Sequence, residues 1–198
     1  MTAAKTLGTK GRATRQALED AARNLFARRG FHGTTLADIT SAAGKSPASF
    51  YRYFTDKEDL LAAIAEDFLS ELAALPSVGS GEDFFTSAVS VYWEQFKPNI
   101  GIMLAVDQLS ATETRFAVLQ NRFRQFGMDI VAASVRRAQH QGAAGDLDPD
   151  HIALAIALLF ERFTSVSLSH GLSDDAAVAT LSTIWRNTVH GSDHEEIR

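Results

Sequence analysis

Two helix-start signals stand close together in the segment Thr34–Phe54, and they restrict the possible folds of this chain more than any other feature. Thr35 is followed three residues later by Asp38, which is a short-armed version of the capping box that opens a helix. Ser46 precedes Pro47, and this order is typical of an N-cap residue and the first helical position. The segment therefore predicts two short helices joined by a tight turn. The second begins on small and hydroxylated side chains, so its first turn is slim enough to enter the major groove of DNA.

A longer helix is predicted on each side of this segment. From about Arg12 to Arg29, apolar side chains recur at the spacing of one helical face, and Gly30 is placed to end that helix. These apolar residues are Leu18, Ala21, Ala22, Leu25 and Phe26. After the segment, Thr55 and Glu58 form a further capping box and predict a helix that reaches about Leu75.

The rest of the chain shows no strand-like alternation of polar and apolar residues, so the sequence predicts an all-α protein. Pro, Gly and helix-capping residues divide it into further helices. They are expected at about Glu82–Lys97, Asn99–Leu109, Thr112–Gln141, Pro149–His170 and Ser173–Val189. We expect three parts: a flexible basic arm over 1–11, a helix-turn-helix domain over 12–56, and a helical domain over 57–198.

Charge is distributed unevenly along the chain, although the net charge is only −5. Residues 1–60 carry ten Lys and Arg against six Asp and Glu, whereas residues 61–198 carry nine against 18. A basic amino-terminal third on an acidic body would direct that end of the molecule towards phosphates. The alternative is a random distribution of surface charge.

Several classes of site and location have no support in the sequence. The chain has no Cys, which excludes disulfides, zinc-thiolate sites and cysteine nucleophiles and suits a reducing cytoplasm. It has no apolar run long enough to span a bilayer, and we do not expect residues 1–12 to act as a signal peptide. We therefore expect a cytoplasmic protein without membrane contact. No phosphate-binding loop or catalytic motif occurs, so neither an enzyme nor a cofactor is predicted.

Histidine and acidic residues are not predicted to bind a metal. His190 and His194 stand four residues apart, but Gly191 is placed to end the helix between them. The cluster around Asp148 and His151 is explained as a helix start, with Asp148 as the cap, because acidic residues are favoured there.

The predicted helix-turn-helix divides its side chains between a core and a possible DNA-contact surface. Apolar residues are spaced to pack inward at Leu36, Ile39, Ala43, Phe50 and Phe54. Basic and hydroxylated side chains on the outer face could bind phosphates or base edges. That outer face comprises Lys45, Ser46, Ala48, Ser49, Tyr51, Arg52 and Tyr53. Thr34, Thr35 and Lys57 lie at predicted helix N-termini, where backbone amides favour a phosphate. The alternative is a helical hairpin without a role in DNA binding.

Residues Ala13–Ala65 resemble the amino-terminal domain of TetR-type transcriptional regulators. The resemblance rests on the helix Ala17–Phe31, on Thr34-Thr35-Leu36, on Ala42-Ala43-Gly44, and above all on Phe50-Tyr51-Arg52-Tyr53-Phe54 followed by Lys57-Glu58. It implies a three-helix head that reads the major groove of a DNA operator as part of a homodimer. By position it adds Pro47 to the contact surface. Lys45 departs from the family, in which the residue before the turn serine is often apolar.

The resemblance also implies a carboxy-terminal domain that binds a small-molecule ligand and dimerises through its last two helices, here about 149–170 and 173–189. The sequence supports this independently, because apolar side chains occupy more than one face of the first of these helices. A helix of that kind must be buried in a core or against a partner. Ala153 and Ala157 would allow another helix to approach closely. The alternative is an ordinary central core helix.

Aromatic residues in this domain are the candidates for a largely apolar ligand site. The set comprises Phe85, Tyr92, Phe96, Phe123, Phe126, Phe160 and Trp185. Several of them also match a mycobacterial repressor that has a long hydrophobic channel. The nearest polar candidates are Gln95, Asn121 and Gln125, each with solvent exposure as the alternative. Plain core packing is the alternative for every aromatic residue.

Together these observations predict a homodimeric, ligand-responsive repressor that binds a palindromic double-stranded DNA operator. An apolar ligand would move the helix after residue 56 and change the spacing of the two DNA-binding heads. Two other functions stay open. One is DNA binding without a ligand, with the aromatic residues as core alone. The other is an enzyme or a small-molecule carrier built on a helical bundle, which would leave the basic head unexplained.

Overall fold

A computed structural model of the protein describes residues 8–76, 79, 81, 83–167 and 170–191, and these ranges form helices without a strand. The prediction of an all-α protein is therefore confirmed. The helices are α1 (Thr9–Arg29), α2 (Leu36–Ala42), α3 (Pro47–Phe50), α4 (Lys57–Ala73), α5 (Phe84–Phe96), α6 (Ile100–Ser110), α7 (Thr114–His140), α8 (Pro149–Ser167) and α9 (Asp174–His190). The predicted start of a helix at Glu82, residues 168 and 169 of another, and His194 lie outside the described residues. Within the described ranges, no helix is long and apolar enough to cross a bilayer.

The first helix begins at Thr9, earlier than the predicted start at Arg12. The backbone N–H of Arg12 donates to the carbonyl of Gly8 at 3.0 Å, so the last residues of the predicted arm over 1–11 are helical. Residues 1–7 lie outside the described residues. A helix that has formed its first turn extends at little cost, and nothing before Arg12 stops it, since Gly11 is tolerated within a helix.

The start of α4 corrects the capping box predicted from Thr55 and Glu58. The carboxylate of Asp56 accepts a hydrogen bond from the backbone N–H of Asp59 at 2.6 Å, and the carboxylate of Asp59 accepts one from the N–H of Thr55 at 2.9 Å. Asp is as good an N-cap residue as Thr. The two aspartates therefore cap the start of α4, and Thr55 and Glu58 do not form the predicted capping box.

The chain folds into two compact units whose boundaries differ from the predicted division at residue 56. Unit 1 comprises the chain up to Ser70 together with Asn99–Gln120, and unit 2 comprises Glu71–Pro98 together with the chain from Asn121. Most of α4, all of α6 and the start of α7 thus group with the predicted head. We expected all three in the carboxy-terminal domain.

A close approach between α1 and α6 explains this grouping. A Cβ atom added to Gly101 of α6 would lie 2.5 Å from the backbone nitrogen of Ala27 in α1, so only glycine allows the two helices to come so near. The guanidinium of Arg23 also donates to the side-chain oxygen of Asn99, just before α6. A sequence pattern shows neither contact, because the partners are far apart in the chain.

The core of unit 1 is formed by large apolar side chains from α1, α2, α3, α4, α6 and α7. Fully buried members include Phe26, Phe31, Ile39, Phe50, Leu60, Ile64 and Phe116. The inward placement predicted for Ile39, Phe50 and Phe54 is confirmed, whereas Leu36 and Ala43 are only half-buried. Phe50 contacts Phe54 with ring centroids 5.5 Å apart, which anchors α3 to the core although α3 is a single turn long.

The core of unit 2 is an aromatic cluster formed by α5, α8 and α9, with aliphatic side chains from α7. Trp185 of α9 lies at its centre, with ring centroids 5.5 Å from Phe84, 5.3 Å from Phe85 and 6.0 Å from Phe160. Edge-to-face contacts of this kind stabilise a core beyond the burial of apolar area. We refer to Phe84, Phe85, Tyr92, Phe160 and Trp185 as the aromatic cluster.

Candidate nucleic-acid interface

The predicted contact residues around α3 form one outward surface. Ser46, Pro47, Ala48, Tyr51 and Arg52 are exposed, while Lys45, Ser49 and Tyr53 are half-buried. Because α3 ends at Phe50, the turn that follows it contains Tyr51, Arg52 and Tyr53. We call the set formed by Lys45, Ser46, Pro47, Ala48, Ser49, Tyr51, Arg52 and Tyr53 the α3 surface.

Local hydrogen bonds and one buried ring hold the α3 surface in place. The side chain of Ser46 accepts a hydrogen bond from the backbone N–H of Ser49 at 3.2 Å, as predicted for an N-cap residue. Gly44 has a φ of +63°, a left-handed conformation that suits the turn between α2 and α3. Tyr51 is 61% exposed and packs one edge on the buried Phe50, with ring centroids 5.6 Å apart. The phenol of Tyr51 is therefore presented to solvent on a rigid base.

The capping box at the start of α2 is confirmed. The Oγ1 atom of Thr35 accepts from the backbone N–H of Asp38 at 3.1 Å, and the carboxylate of Asp38 accepts from the N–H of Thr35 at 2.9 Å. The hydroxyl of Thr35 also donates to that carboxylate at 2.6 Å. The hydrogen bonds from the Thr35 side chain and backbone, together with Arg29, hold the pKa of Asp38 below its usual value. The side chain of Thr35 is thus committed to the cap, although it remains exposed.

Thr34 does not lie on a contact surface, contrary to the prediction. Its side chain is only 1% exposed, and its hydroxyl donates to the carbonyl of Gly30 at 2.8 Å. The residue closes the turn after α1 by this bond. A buried hydroxyl with its own partner cannot reach a phosphate unless the turn opens.

Lys57, which was predicted as a DNA-contact residue at a helix N-terminus, has its side chain engaged within unit 1. Its ammonium donates to the carbonyl oxygens of Phe31 and Thr34, both at 2.8 Å. The same nitrogen lies 4.1 Å from the centroid of the Phe31 ring, within the range of a cation–π contact. The side chain therefore ties the start of α4 to the turn before α2.

An ion pair in α1 was not predicted. The guanidinium of Arg15 donates to the carboxylate of the buried Glu19 at 2.6 Å and lies 5.6 Å from the centroid of Phe54. It also reaches the carboxylate of Asp67 in α4 at 3.6 Å. The hydrogen bond to Glu19 raises the pKa of Arg15 further above its usual value. The four-residue spacing of Arg15 and Glu19 was the available signal.

The predicted ligand-binding residues are only partly brought together. Phe85, Tyr92, Phe160 and Trp185 belong to the aromatic cluster, and Phe96 stacks on Tyr92 with ring centroids 4.4 Å apart. Phe123 is buried and Phe126 half-buried on α7, but neither is part of the cluster. The indole N–H of Trp185 donates to Ser134 at 3.1 Å, so its polar atom already has a partner.

Polar groups near the aromatic cluster differ from the predicted anchors. Asn121 and Gln125 face solvent, and Gln125 donates to Asp129 at 2.7 Å. The phenol oxygen of Tyr92 is a polar atom within the cluster, and it lies 2.9 Å from the hydroxyl oxygen of Thr164. Burial raises the pKa of Tyr92 far above its usual value, so the phenol stays neutral. Thr164 was not identified from the sequence.

The acidic residues at the start of α8 act as a cap, as predicted. The carboxylate of Asp148 accepts from the backbone N–H groups of Asp150 at 2.9 Å and His151 at 3.0 Å. The bond from the N–H of His151 is the main cause of the lowered pKa of Asp148. In the part of the chain that the structure describes, His, Asp and Glu do not gather in a group of three suited to a metal.

The helix α8 is apolar on two faces, as predicted. Ala153, Ile156, Ala157 and Phe160 are buried within unit 2. Leu154, Leu158 and Val166 are exposed at a spacing that places them on one side of the helix, and Leu158 is 45% exposed. Ile184 of α9 is a further large apolar side chain on the surface of unit 2. We call Leu154, Leu158, Val166 and Ile184 the exposed apolar face.

Comparison with known proteins gives a consistent result. Residues 18–64 match the model of the bacterial regulatory proteins of the tetR family. The uncharacterized HTH-type transcriptional regulator YdgC of Bacillus subtilis is 40% identical over 184 residues, which cover 86% of this chain and 89% of YdgC. The HTH-type transcriptional regulator EthR of Mycobacterium tuberculosis is 29% identical over 181 residues, covering 86% of this chain and 84% of EthR.

A solved structure shows the same fold. A bacterial regulatory protein in the tetR family from Rhodococcus RHA1 has a TM-score of 0.74 to this chain at 23% sequence identity. The match covers 91% of this chain and 98% of that protein. The helical arrangement beyond residues 18–64 therefore also occurs in that protein.

Proposed function

The chain belongs to the TetR family of bacterial regulatory proteins, and on that premise we propose that it represses transcription as a homodimer on a palindromic operator and is released by an apolar small molecule. It is a DNA-binding regulator and not an enzyme, in keeping with its relatives. A dimer that covers an operator inside a promoter would exclude polymerase by steric overlap.

The α3 surface is the observation that carries the proposal. Its exposed side chains combine a cation at Arg52, a phenol at Tyr51 and small residues at Pro47 and Ala48, which allow close approach to base edges. The buried Phe50 and the Ser46 cap fix their positions before DNA arrives. We assign phosphate contacts to Lys45 and Tyr51, and we assign base contacts to Ser49 and Arg52.

Dimerisation is supported by the exposed apolar face of α8 and α9. Leucine, valine and isoleucine side chains at four positions would lose their contact with water if a second copy covered them. A two-fold dimer would place two α3 surfaces in successive major grooves, about 34 Å apart. The operator would then be a pseudo-palindrome of two half-sites.

Release by a ligand is supported by two connections inside unit 1. The start of α4 is tied to the turn before α2 through Lys57, and α6 is packed closely on α1 through Gly101. The helix α4 continues to Ala73, within the sequence of unit 2. A ligand that shifts α4 or α6 would therefore shift the α3 surface, with a coupling of about 1–3 kcal/mol.

Selection of binding sites from a random DNA library, followed by footprinting, tests this function. We expect one enriched palindrome with two half-sites, protected on both, and an affinity that falls steeply with salt because phosphates are neutralised. The variant Arg52→Ala should change the base preference of the enriched half-site. Arg186→Ala, an exposed arginine of unit 2, is the matched control and should not. Recovery of no enriched sequence by the folded wild-type protein would refute the proposal.

DNA binding without a ligand is the second candidate, and the packing of the aromatic cluster favours it. The rings of Phe85, Phe160 and Trp185 contact one another, and the Trp185 indole is hydrogen-bonded, as in an ordinary core. This function predicts an operator affinity that no apolar compound changes. Titration of the bound operator with the compounds described below distinguishes the two functions.

A further inference from the structure

One pair of hydroxyl groups lies within the aromatic core of unit 2. Thr164 is 1% exposed, and its Oγ1 atom is 2.9 Å from the phenol oxygen of Tyr92. The Tyr92 ring stacks on Phe96 and meets the edge of Phe160 at a centroid distance of 5.2 Å. Two apolar rings therefore pack against the ring that carries the phenol oxygen.

The two hydroxyl groups do not make all the hydrogen bonds of which they are capable. Each hydroxyl carries one proton, and the bond between the two oxygens uses only one of them. Other helical threonines place their proton on the carbonyl four residues earlier, as Thr14, Thr40, Thr180 and Thr188 do. Thr164 makes no such bond, and within the described residues neither hydroxyl has a second side-chain partner. The hydroxyl proton that this bond does not use is therefore available to a further acceptor.

We propose that Tyr92 and Thr164 form the polar subsite for the small molecule, and that this subsite takes a neutral hydrogen-bond acceptor such as a carbonyl or ether oxygen. The inference rests on the proposed release by an apolar ligand and names the chemical class of that ligand. An acceptor oxygen would receive the remaining proton, while the rest of the molecule would lie against the aromatic rings. The ligand class is therefore an apolar ketone, ester or ether.

The surrounding charges favour a neutral ligand over an anion. The guanidinium of Arg124 on α7 donates twice to the carboxylate of Glu161 on α8, at 3.1 Å for each bond. That arginine is already paired with a carboxylate, and Glu161 itself acts against negative charge on Tyr92. An anionic group at the two hydroxyls would be buried without compensation.

Access to the subsite is through Tyr92. Its side chain is half-buried and keeps part of its surface accessible, whereas Thr164 is sealed. A ligand would therefore meet the phenol first. Its acceptor would take the proton of whichever hydroxyl does not donate within the pair.

Calorimetric titration with matched compounds tests the subsite. Heptanophenone and octanophenone carry a carbonyl, and heptylbenzene and octylbenzene have the same apolar parts without it. We expect the wild-type dimer to bind the ketones more tightly by about fivefold, the equivalent of one net hydrogen bond. The double variant Tyr92→Phe with Thr164→Val should lose this preference and still bind both classes. Thr180→Val, which removes an exposed threonine hydroxyl, is the control and should keep it.

Each other outcome has a distinct meaning. Equal affinity of wild-type protein for the ketones and the alkylbenzenes would overturn the subsite and leave the apolar ligand of the proposed function standing. Tighter binding of nonanoate than of either ketone would overturn the neutral class. Binding of none of the compounds would overturn both the subsite and release by an apolar molecule. The wild-type comparison needs no variant, so it holds even if the double variant does not fold.

Discussion

The capping side chains before α2 and α3 in unit 1 bond locally, whereas two polar side chains of the aromatic cluster in unit 2 bond to distant helices. In unit 1, Thr35 and Ser46 close helix starts within three residues of themselves. In unit 2, Tyr92 and Trp185 bond to partners 72 and 51 residues away. A surface that reads DNA requires side chains fixed before binding, and short local bonds achieve this. The core for which we propose a ligand is held by contacts between helices, and such contacts can separate without unfolding any single helix.

Removal of the central ring of unit 2 should have the largest effect on the free energy of unfolding. Trp185→Ala deletes the contacts with Phe84, Phe85 and Phe160 and leaves a cavity, so we expect a loss of about 3–5 kcal/mol in the free energy of unfolding. Urea denaturation followed by circular dichroism and by the fluorescence of Trp93 measures it. A loss below about 1 kcal/mol would show that the aromatic cluster does not stabilise unit 2.

The close approach of α1 and α6 in unit 1 provides a second test. Gly101→Ala places a Cβ atom 2.5 Å from backbone, so we expect a loss of about 1–3 kcal/mol from overpacking. Gly127→Ala in α7 is the matched control, because a Cβ there meets nothing within 4 Å. That control should stabilise the helix by about 0.5–1 kcal/mol. Equal effects of the two substitutions on chemical denaturation would mean that α6 is not packed against α1 as described.

Substitution of two lysines of unit 1 should distinguish a side chain that stabilises the fold from one that contacts DNA. Lys57→Met removes two hydrogen bonds to carbonyl oxygens, and we expect a loss of about 1–2 kcal/mol in stability. Operator affinity should fall while the slope of affinity against salt stays as in wild type. Lys45→Met on the α3 surface should leave stability unchanged and reduce the slope by about 1 per protomer. A reduced slope in Lys57→Met would show that its ammonium leaves the carbonyls to bind phosphate.

Acid should reduce the stability of unit 1 through the protonation of Asp38. This is the smallest of the four effects that we expect. Its pKa is lowered in the folded protein by the hydrogen bonds from Thr35, so its contribution to stability is complete above the unfolded value of 3.8 and is lost as pH falls through the lower folded value. Asp38→Asn should flatten the fall of the melting temperature between about pH 5 and about pH 2. Asp174→Asn in unit 2 is the counterpart, since Lys97 lowers the pKa of Asp174. High salt should weaken the Asp174 contribution more than the Asp38 contribution, because Lys97 is the main cause for Asp174 and hydrogen bonds from Thr35 are the main cause for Asp38.

Much of unit 1 could be predicted because its signals are local. The caps at Thr35 and Ser46 and the inward position of Phe50 depend on residues within a few positions, and the structure confirms all three. Prediction failed where neighbouring residues compete for the same bond. Asp56 and Asp59 took the place of Thr55 and Glu58 at the start of α4, since each of these residue types can cap a helix.

The sequence by itself determined the all-α class, the helix-turn-helix, the basic amino-terminal third and the two apolar faces of α8. Tertiary structure alone decided which polar groups meet: Lys57 with the carbonyl of Phe31, Arg23 with Asn99, and Tyr92 with Thr164. It also decided that α6 packs against α1 and that Thr34 is buried. Helix periodicity and helix caps depend on short runs of residues. Contacts between distant residues follow from how whole helices pack, which no local pattern encodes.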